Sequence, residues 1–415
     1  MTSTVTPRTR SPRASYLTLI AADIGSVLGS RVSLVAIPWL VLTLTGSPSD
    51  MGLVGAAEMV PYLLTSMLLT PLADRYGLRA SSVFCDFSSA VAMAAVAAFA
   101  GHGLVVLMPL IAVAGGLRGV GDRTKHVLLR PAAVAAGYSM IRVTSLYEGL
   151  ARLATLLGAP LGGLLIVWVG ARGAVWLDAA SFGLCALLVG ALVRVQPVAG
   201  QSGAPGERYR TALAAGFRYL AGDRLLSAML ATVFALNIFA NAANVVFVPV
   251  WARQVLHSPE AVGLTLGAFA AGALAGTLVF GVIGKRLPRY PTFLIGALIS
   301  GAPRLLALGV SQSLPVVLAV TLIGGFGVAS VNPLLGVAMY ERIPDALQAR
   351  VIGLCSTCAS VGIPVGALLG GWAVSGFGLR TALLGASGAC LVLTLAPLLN
   401  RRGLPAVGPI ADQPS

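Results

Sequence analysis

Residues 38–75 recur 211 positions later without a gap. Pro38 falls on Pro249, Ser47-Pro48 on Ser258-Pro259, Gly52-Leu53 on Gly263-Leu264, and the charged step Asp74-Arg75 on Lys285-Arg286. A second pair stands 204 apart, with Gly158, Pro160 and Gly162 matching Gly362, Pro364 and Gly366 inside apolar runs. A chain written twice must fold as two halves of one architecture. Parallel repeats of apolar helices are a construction of secondary transporters.

The repeated units are too apolar for water. Hydrophobic residues make up 57% of the chain and charged ones 10%, with mean hydropathy +0.89, whereas soluble domains carry about 25% charged residues. Apolar runs repeatedly reach the roughly 20 residues that cross a bilayer as helix. Spans are predicted at 16–44, 51–71, 80–100, 104–123, 142–168 and 174–194, then at 225–252, 261–283, 291–310, 314–338, 350–374 and 381–399. The expected fold is all-α integral membrane: twelve transmembrane helices in two six-helix bundles related by a parallel pseudo-twofold repeat. The expected organisation is a tail at 1–15, a first bundle at 16–194, a linker at 195–223, a second bundle at 224–399 and a tail at 400–415. Within the linker, Arg208, Arg210, Leu213, Phe217, Arg218 and Leu220 can form an amphipathic helix on the bilayer surface.

Basic residues orient this topology. Of 28 Lys and Arg, the outside loops hold only Arg172, Arg253 and Arg380, and four lie within spans (Arg31, Arg118, Arg152 and Arg304). The rest, among them Arg8, Arg123, Lys125, Arg130, Lys285 and Arg401, fall on the side that carries both termini. By the positive-inside rule that side is cytoplasmic, and the net charge of +14 reflects topology and an anionic inner leaflet. No patch of alternating basic and aromatic residues supports nucleic-acid binding. The first apolar run is about 28 residues, longer than a signal-peptide core of about 7–15, so the first helix is read as an anchor. Cys85, Cys185, Cys355, Cys358 and Cys390 all fall inside spans, which offers no extracellular disulfide frame. Cys355 and Cys358 have metal-like spacing but no second pair and no histidine nearby, so no metal site is expected. His102, His126 and His257 are isolated, and neither a nucleophile elbow nor a phosphate-binding loop occurs, so neither catalysis nor a cofactor is expected. The bias of Arg over Lys, with abundant Ala, Gly and Leu, suggests a bacterial genome rich in G and C, and hence a bacterial cytoplasmic membrane.

The loop after the second span reads Leu72-Ala73-Asp74-Arg75-Tyr76-Gly77-Leu78-Arg79. It resembles the loop motif Gly-x-Leu-x-Asp-Arg-x-Gly-Arg-Lys of the Major Facilitator Superfamily, with Leu72, Asp74, Arg75, Gly77 and Arg79 matching and Thr70 and Leu78 departing. The resemblance covers Tyr16 to about Asn400 and extends to a weaker second copy at Gly281–Arg289. It implies that Asp74, Arg75 and Arg79 form a conformational lock, Asp74 facing the start of the eleventh span near Arg350. A carboxylate at a helix end gains about 0.3–2 kcal/mol from such contacts. Gly158, Pro160 and Gly162 are similar to the glycine-proline motif of the superfamily's exporters. With Gly362, Pro364 and Gly366 they allow close packing and bending, which plain helix packing would also use.

Charges inside spans cost a few kcal/mol each unless paired or hydrated. Arg31 lies midway along the first span, with Asp23 eight residues before it and Glu58 on the second. Arg31 is the candidate for contact with substrate or with a proton-carrying acid, or else for a buried ion pair with Glu58 or Asp178. Asp23 and Glu58 are the candidates for proton coupling. Glu148 with Arg152, and Arg118 with Asp122, are spaced four apart and are expected to pair. Asp86 is placed near the loop-motif network, and Arg304 has no evident partner. Asn237, Asn241 and Asn244 share one face of the seventh span. In the superfamily the first, fourth, seventh and tenth spans line the cavity, so the resemblance makes these amides and Asn332 cavity lining; amide stripes also join helices.

The function expected is secondary active transport, as a proton-coupled exporter of amphipathic drug-like or secondary-metabolite compounds. The partners are a small-molecule substrate, protons and the lipid bilayer, with a monomer as the working unit. Two alternatives stand beside it: an importer or siderophore carrier of the same fold, and a non-transporting scaffold or sensor.

Overall fold

The computed structural model describes residues 12–69, 77–193 and 218–399. Asp74, Arg75, both chain ends and the linker up to Phe217 lie outside the described residues. Among the described residues all regular structure is helical. The elements are α1 Pro12–Thr45, α2 Pro48–Leu68, α3 Leu78–Ala98, α4 Leu104–Ala135, α5 Met140–Leu192, α6 Arg224–Leu256, α7 Glu260–Ile283, α8 Arg289–Val310, α9 Leu314–Arg342, α10 Asp345–Phe377 and α11 Leu379–Leu399. Eleven helical stretches, one in each, are long and apolar enough to cross a membrane.

Several helices are interrupted where the sequence dictates it. Gly170 breaks α5 with φ 74° and ψ 163°, a conformation cheap only for glycine. The same geometry returns at Gly378 (φ 76°, ψ 162°) between α10 and α11. Gly301 (φ −96°, ψ −86°) divides α8. In α6, π turns at Ala243–Phe247 and Ala252–Leu256 flank Val248–Trp251, and Pro249, which lacks an amide proton, sits between them.

The repeat is visible in the backbone. Gly46 ends α1 at φ 68°, and His257, 211 residues later, ends α6 at φ 53°. His257 is the one non-glycine residue with positive φ among those described.

The helices fall into two compact units. The first holds α1 up to Ser33, residues Ala57–Gly158, and α5 from Arg172. Its core joins Tyr16, Leu19 and Ile20 of α1 to Leu128, Leu129 and Ala132 of α4 and to Cys185 and Val189 of α5. Gly115 and Gly119 of α4 press directly on the carbonyls of Glu58 and Tyr62 in α2, leaving no room for a β-carbon. In lipid, where helices gain little by burying apolar surface against each other, such small-residue seams hold them together. Arg79 at the start of α3 donates to the carbonyls of Val189 and Gly190 near the end of α5. Arg172 likewise donates to Ala97 and Ala98 at the end of α3, at 2.6 and 2.9 Å. Each cation meets the negative end of a helix.

The second unit holds residues 34–56, 159–171 and the described chain from Arg218. Gly362 and Gly366 of α10 lie on the carbonyls of Phe234 and Ile238 in α6, and Gly272 and Gly325 seat α7 against α9 in the same way. Gly52 of α2 packs on the Ala367 carbonyl of α10, while Gly263 of α7 packs on the Ala159 carbonyl and on Gly163. The repeat relates these contacts, since Gly52 maps to Gly263 and Gly163 to Ala367.

Replacing Gly115 by Ala should force α2 from α4 and destabilise the protein by about 1–3 kcal/mol, as overpacking does. Gly149→Ala, where the added methyl meets nothing within 4 Å, should be neutral or slightly stabilising. Thermal unfolding of the two purified variants in detergent compares them.

Candidate transport site

The first unit concentrates its charges on facing helix surfaces. Arg118 of α4 donates from Nη1 to Glu58 Oε1 of α2 at 2.7 Å, and its guanidinium lies over the Tyr62 ring, 5.7 Å from the centroid. Glu58 and Tyr62 are one turn apart on α2, so a single helix face supplies carboxylate and ring. The Tyr62 hydroxyl donates to Asp122 Oδ2 at 3.4 Å. Sequence spacing pairs Arg118 with Asp122, but the structure gives the ion pair to Glu58 and leaves Asp122 to Tyr62 and Lys125.

Lys125 is the centre of the second group. Its side chain is 1% exposed and its Nζ lies 3.2 Å from Asp23 of α1, 3.1 Å from Asp86 of α3 and 3.7 Å from Asp122. Tyr147 donates to Asp23 Oδ2 at 2.8 Å, and the Cys185 thiol reaches Asp86 Oδ2 at 3.3 Å. Five helical segments meet around one ammonium. The polar groups therefore form one chain of contacts, from Glu58 and Arg118 through Tyr62 and Asp122 to Lys125, Asp23 and Asp86.

Arg31 has no hydrogen bond or ion pair among the described residues, although it lies within electrostatic range of Arg118, Tyr62 and Asp122. Gly158 of α5 lies against its Cβ, where a methyl would collide. The expected pair of Arg31 with Glu58 or Asp178 does not form: Glu58 takes Arg118, and Asp178 accepts from Ser33 at 2.5 Å. Gly29 leaves room for Asp178 and Ser181. Gly162 is buried and Pro160 half-buried beside Gly263; Pro364 is buried on α10.

In the second unit the asparagine stripe makes joints. Asn237 donates to the Ala359 carbonyl at 2.8 Å and Asn241 to that of Ile363 at 2.6 Å, pinning α6 to α10. Asn244, inside the first π turn, accepts from Arg304 at 2.7 Å. Arg304 is 2% exposed and lies 5.0 Å from the Phe269 ring centroid. Asn332 is exposed on α9. Among the described residues no group of three His, Cys, Asp or Glu could hold a metal ion.

Lys125 counts in the sequence only as a loop charge, because the fourth predicted span ends at 123. In the structure α4 runs to Ala135 and carries Lys125 inside. Its rarity is the available signal, since only two of the 28 basic residues are lysines.

A family model described as Major Facilitator Superfamily matches residues 19–258 and 230–412. The multidrug efflux pump Tap of Mycobacterium tuberculosis is 28% identical over 389 residues, covering 90% of each chain. The protein of the same name in Mycolicibacterium fortuitum is 26% identical over 397 residues, 93% of this chain and 95% of the relative. Among solved structures, the nucleoside transporter NupG superposes with TM-score 0.76 at 13% identity, over 94% of this chain and 99% of that one. A bacterial homologue of the human lysosomal transporter Spinster, inward-facing and occupied, gives TM-score 0.73 at 13% identity over 94% and 96%. Many apolar helices, a doubled sequence and a chain of contacting charges thus meet a family match along nearly the whole length: the chain belongs to the Major Facilitator Superfamily, and that family makes it a multi-pass membrane transporter of small molecules and not an enzyme.

Proposed function

We propose that this transporter exports amphipathic drug-like or secondary-metabolite compounds in exchange for protons. The observation that carries the reading is the Glu58–Arg118 ion pair, set in apolar helices and joined through Tyr62 and Asp122 to the Lys125 cluster. The efflux direction is supported by the two Tap relatives. Division of α5 at Gly170 makes twelve spans of the eleven stretches, in two six-helix bundles, and the matching geometry of Gly378 supports that division. Both termini are assigned to the cytoplasmic face of a bacterial inner membrane, and a monomer is the working unit.

In this mechanism Glu58 is either paired with Arg118 or protonated. Protonation removes the carboxylate charge and frees the guanidinium, so proton binding and ion pairing compete for one group. A substrate that displaces Glu58 from Arg118, or engages the unpaired Arg31, is coupled to that competition. Asp23, held by Lys125 and Tyr147, accepts the proton at the far end of the chain. Arg79 stays fixed to the end of α5, and with Asp74 and Arg75 is assigned the lock.

Inverted membrane vesicles with an imposed acid interior should accumulate fluorescent drugs from a dye panel. Glu58→Gln should reduce uptake to the level without a gradient while leaving ligand binding measurable. Accumulation only in right-side-out vesicles, or full gradient dependence in both Glu58→Gln and Asp23→Asn, would refute the proposal.

The same cluster predicts a stability effect. Lys125→Met leaves Asp23 and Asp86 buried without their cation, at a cost of about 3–5 kcal/mol. The protein should lose its monodisperse peak in size-exclusion chromatography, and adding Asp86→Asn should restore part of it by removing one stranded charge.

A further inference from the structure

A basic cleft of about 590 Å³ opens beside the junction of the linker and α6, lined by Arg218, Tyr219, Gly222, Asp223, Arg224, Leu225 and Arg342. It stands outside the charge chain and no part of the transport mechanism uses it. Its position is set by the spans: Arg224 is the first residue of α6 and Arg342 the last of α9, so both meet at one membrane–water boundary. That is the depth of lipid phosphates.

The cleft is built. The Tyr219 hydroxyl donates to the Arg342 carbonyl, and Ser227 Oγ donates to the Leu220 carbonyl at 2.6 Å. Leu220 packs with Leu226, Leu230, Ile343, Val351 and Cys355 beneath the turn. Asp223 caps α6 by accepting from the amides of Leu225 and Leu226 at 3.0 and 3.1 Å, and it holds Arg342 Nε at 2.7 Å. Burial alone would raise the Asp223 pKa, but the bonds from Arg342 and these amides outweigh it and hold the carboxyl below its usual value. The carboxylate is therefore ionised at neutral pH and accounts for one positive charge. Arg218 and Arg224 are exposed, and their guanidinium groups have no partner among the described residues. The Arg342 contact with Asp223 uses Nε, which leaves its terminal amines without a partner among the described residues. Three guanidinium groups against one carboxylate leave the cleft with a net charge of +2, and a guanidinium fork is a group that binds phosphate oxygens in pairs.

We propose that this cleft binds the phosphodiester headgroup of an anionic phospholipid and fastens the linker to the membrane surface. A doubly charged headgroup carrying two phosphates matches the net charge of the cleft, and basic pockets at span ends are known to take such lipids. The Tyr219 ring, at the same boundary, suits the headgroup layer.

The full-length protein in zwitterionic detergent supplies the test, with cardiolipin, phosphatidylcholine and inorganic phosphate titrated separately and binding read by native mass spectrometry and thermal unfolding. Cardiolipin should be retained and raise the unfolding midpoint, whereas phosphatidylcholine should do neither. Arg218→Gln with Arg224→Gln should weaken cardiolipin binding about 30-fold, at roughly 1 kcal/mol per arginine. Both side chains are exposed, so the unfolding midpoint without lipid should not move; the two single variants, each weakened about fivefold, provide the same reading should the double variant fold poorly. Cardiolipin affinity unchanged in these variants would overturn the proposal. Equal stabilisation by millimolar inorganic phosphate would overturn the lipid assignment and leave a soluble phosphate as the ligand. Because drug uptake is not the readout, failure here and failure of the proposed export function are separable.

Discussion

The structure depends on backbone-to-backbone contact between helices that cannot use water to hold themselves together. In lipid, an apolar side chain gains little by exchanging hydrocarbon for another helix, so association rests on dispersion contacts at short range and on buried polar links. The glycine seams supply the first. Gly115 and Gly119 seat α4 on α2; Gly362 and Gly366 seat α10 on α6; Gly272 and Gly325 lock α7 with α9. In each case the neighbour is a carbonyl or main chain, which cannot step aside as a flexible side chain could. These seams also decide where polar groups can meet. Arg118 reaches Glu58 because α4 and α2 touch at Gly115, and Arg31 has space because position 158 lacks a β-carbon.

The all-helical, membrane-spanning character of the chain was legible in the sequence for a physical reason. Membrane insertion is decided by the apolar length of local segments, and local segments are what a sequence displays. The repeat was legible too, because Ser47-Pro48 and Ser258-Pro259 mark helix starts whose local geometry is copied, down to the left-handed residues Gly46 and His257. The candidate site was legible as a list of residues and not as a set of partners. Glu58 and Arg118 are 60 positions apart, and their meeting depends on the rotation of each helix about its axis. The i,i+4 rule favoured Arg118 with Asp122; a buried helix face, unlike an exposed one, offers stronger partners across the interface. Lys125 was obscured because it stands just past the end of an apolar run, where a span boundary is easily drawn short. Arg304 was unreadable because its partners are an amide and an aromatic ring, Asn244 and Phe269, which no charge-matching rule would select.

The asparagines of α6 show how chemistry alone underdetermines role. An amide stripe can face a water-filled cavity or join two helices, and both keep it polar. Asn237 and Asn241 bond carbonyls of α10 in the stretch where Gly362 and Gly366 lie on the main chain of α6. Pro364 removes the amide that would bond the Ser360 carbonyl, and the asparagines reach the carbonyls on either side of it, those of Ala359 and Ile363. The stripe and the glycine-proline segment thus work as one joint.

The two copies of the repeat have diverged in a way that bears on the proposed proton coupling. The shift of 211 carries Glu58 onto Phe269 and Ser33 onto Asn244. In the first copy an arginine pairs with the carboxylate of Glu58; in the second, Arg304 stacks on Phe269 and bonds Asn244. The two guanidinium groups come from different helices of their halves, Arg118 from α4 and Arg304 from α8, the helix that corresponds to α3, so the repeat does not relate them. Only the first copy retains a group that can take up a proton at the position shared by Glu58 and Phe269. A ring and an amide hold their arginine at any pH, whereas a carboxylate holds it only while ionised. Under the proposed exchange with protons, only the copy that keeps the carboxylate can respond at this position, and the copy that carries the aromatic ring there cannot.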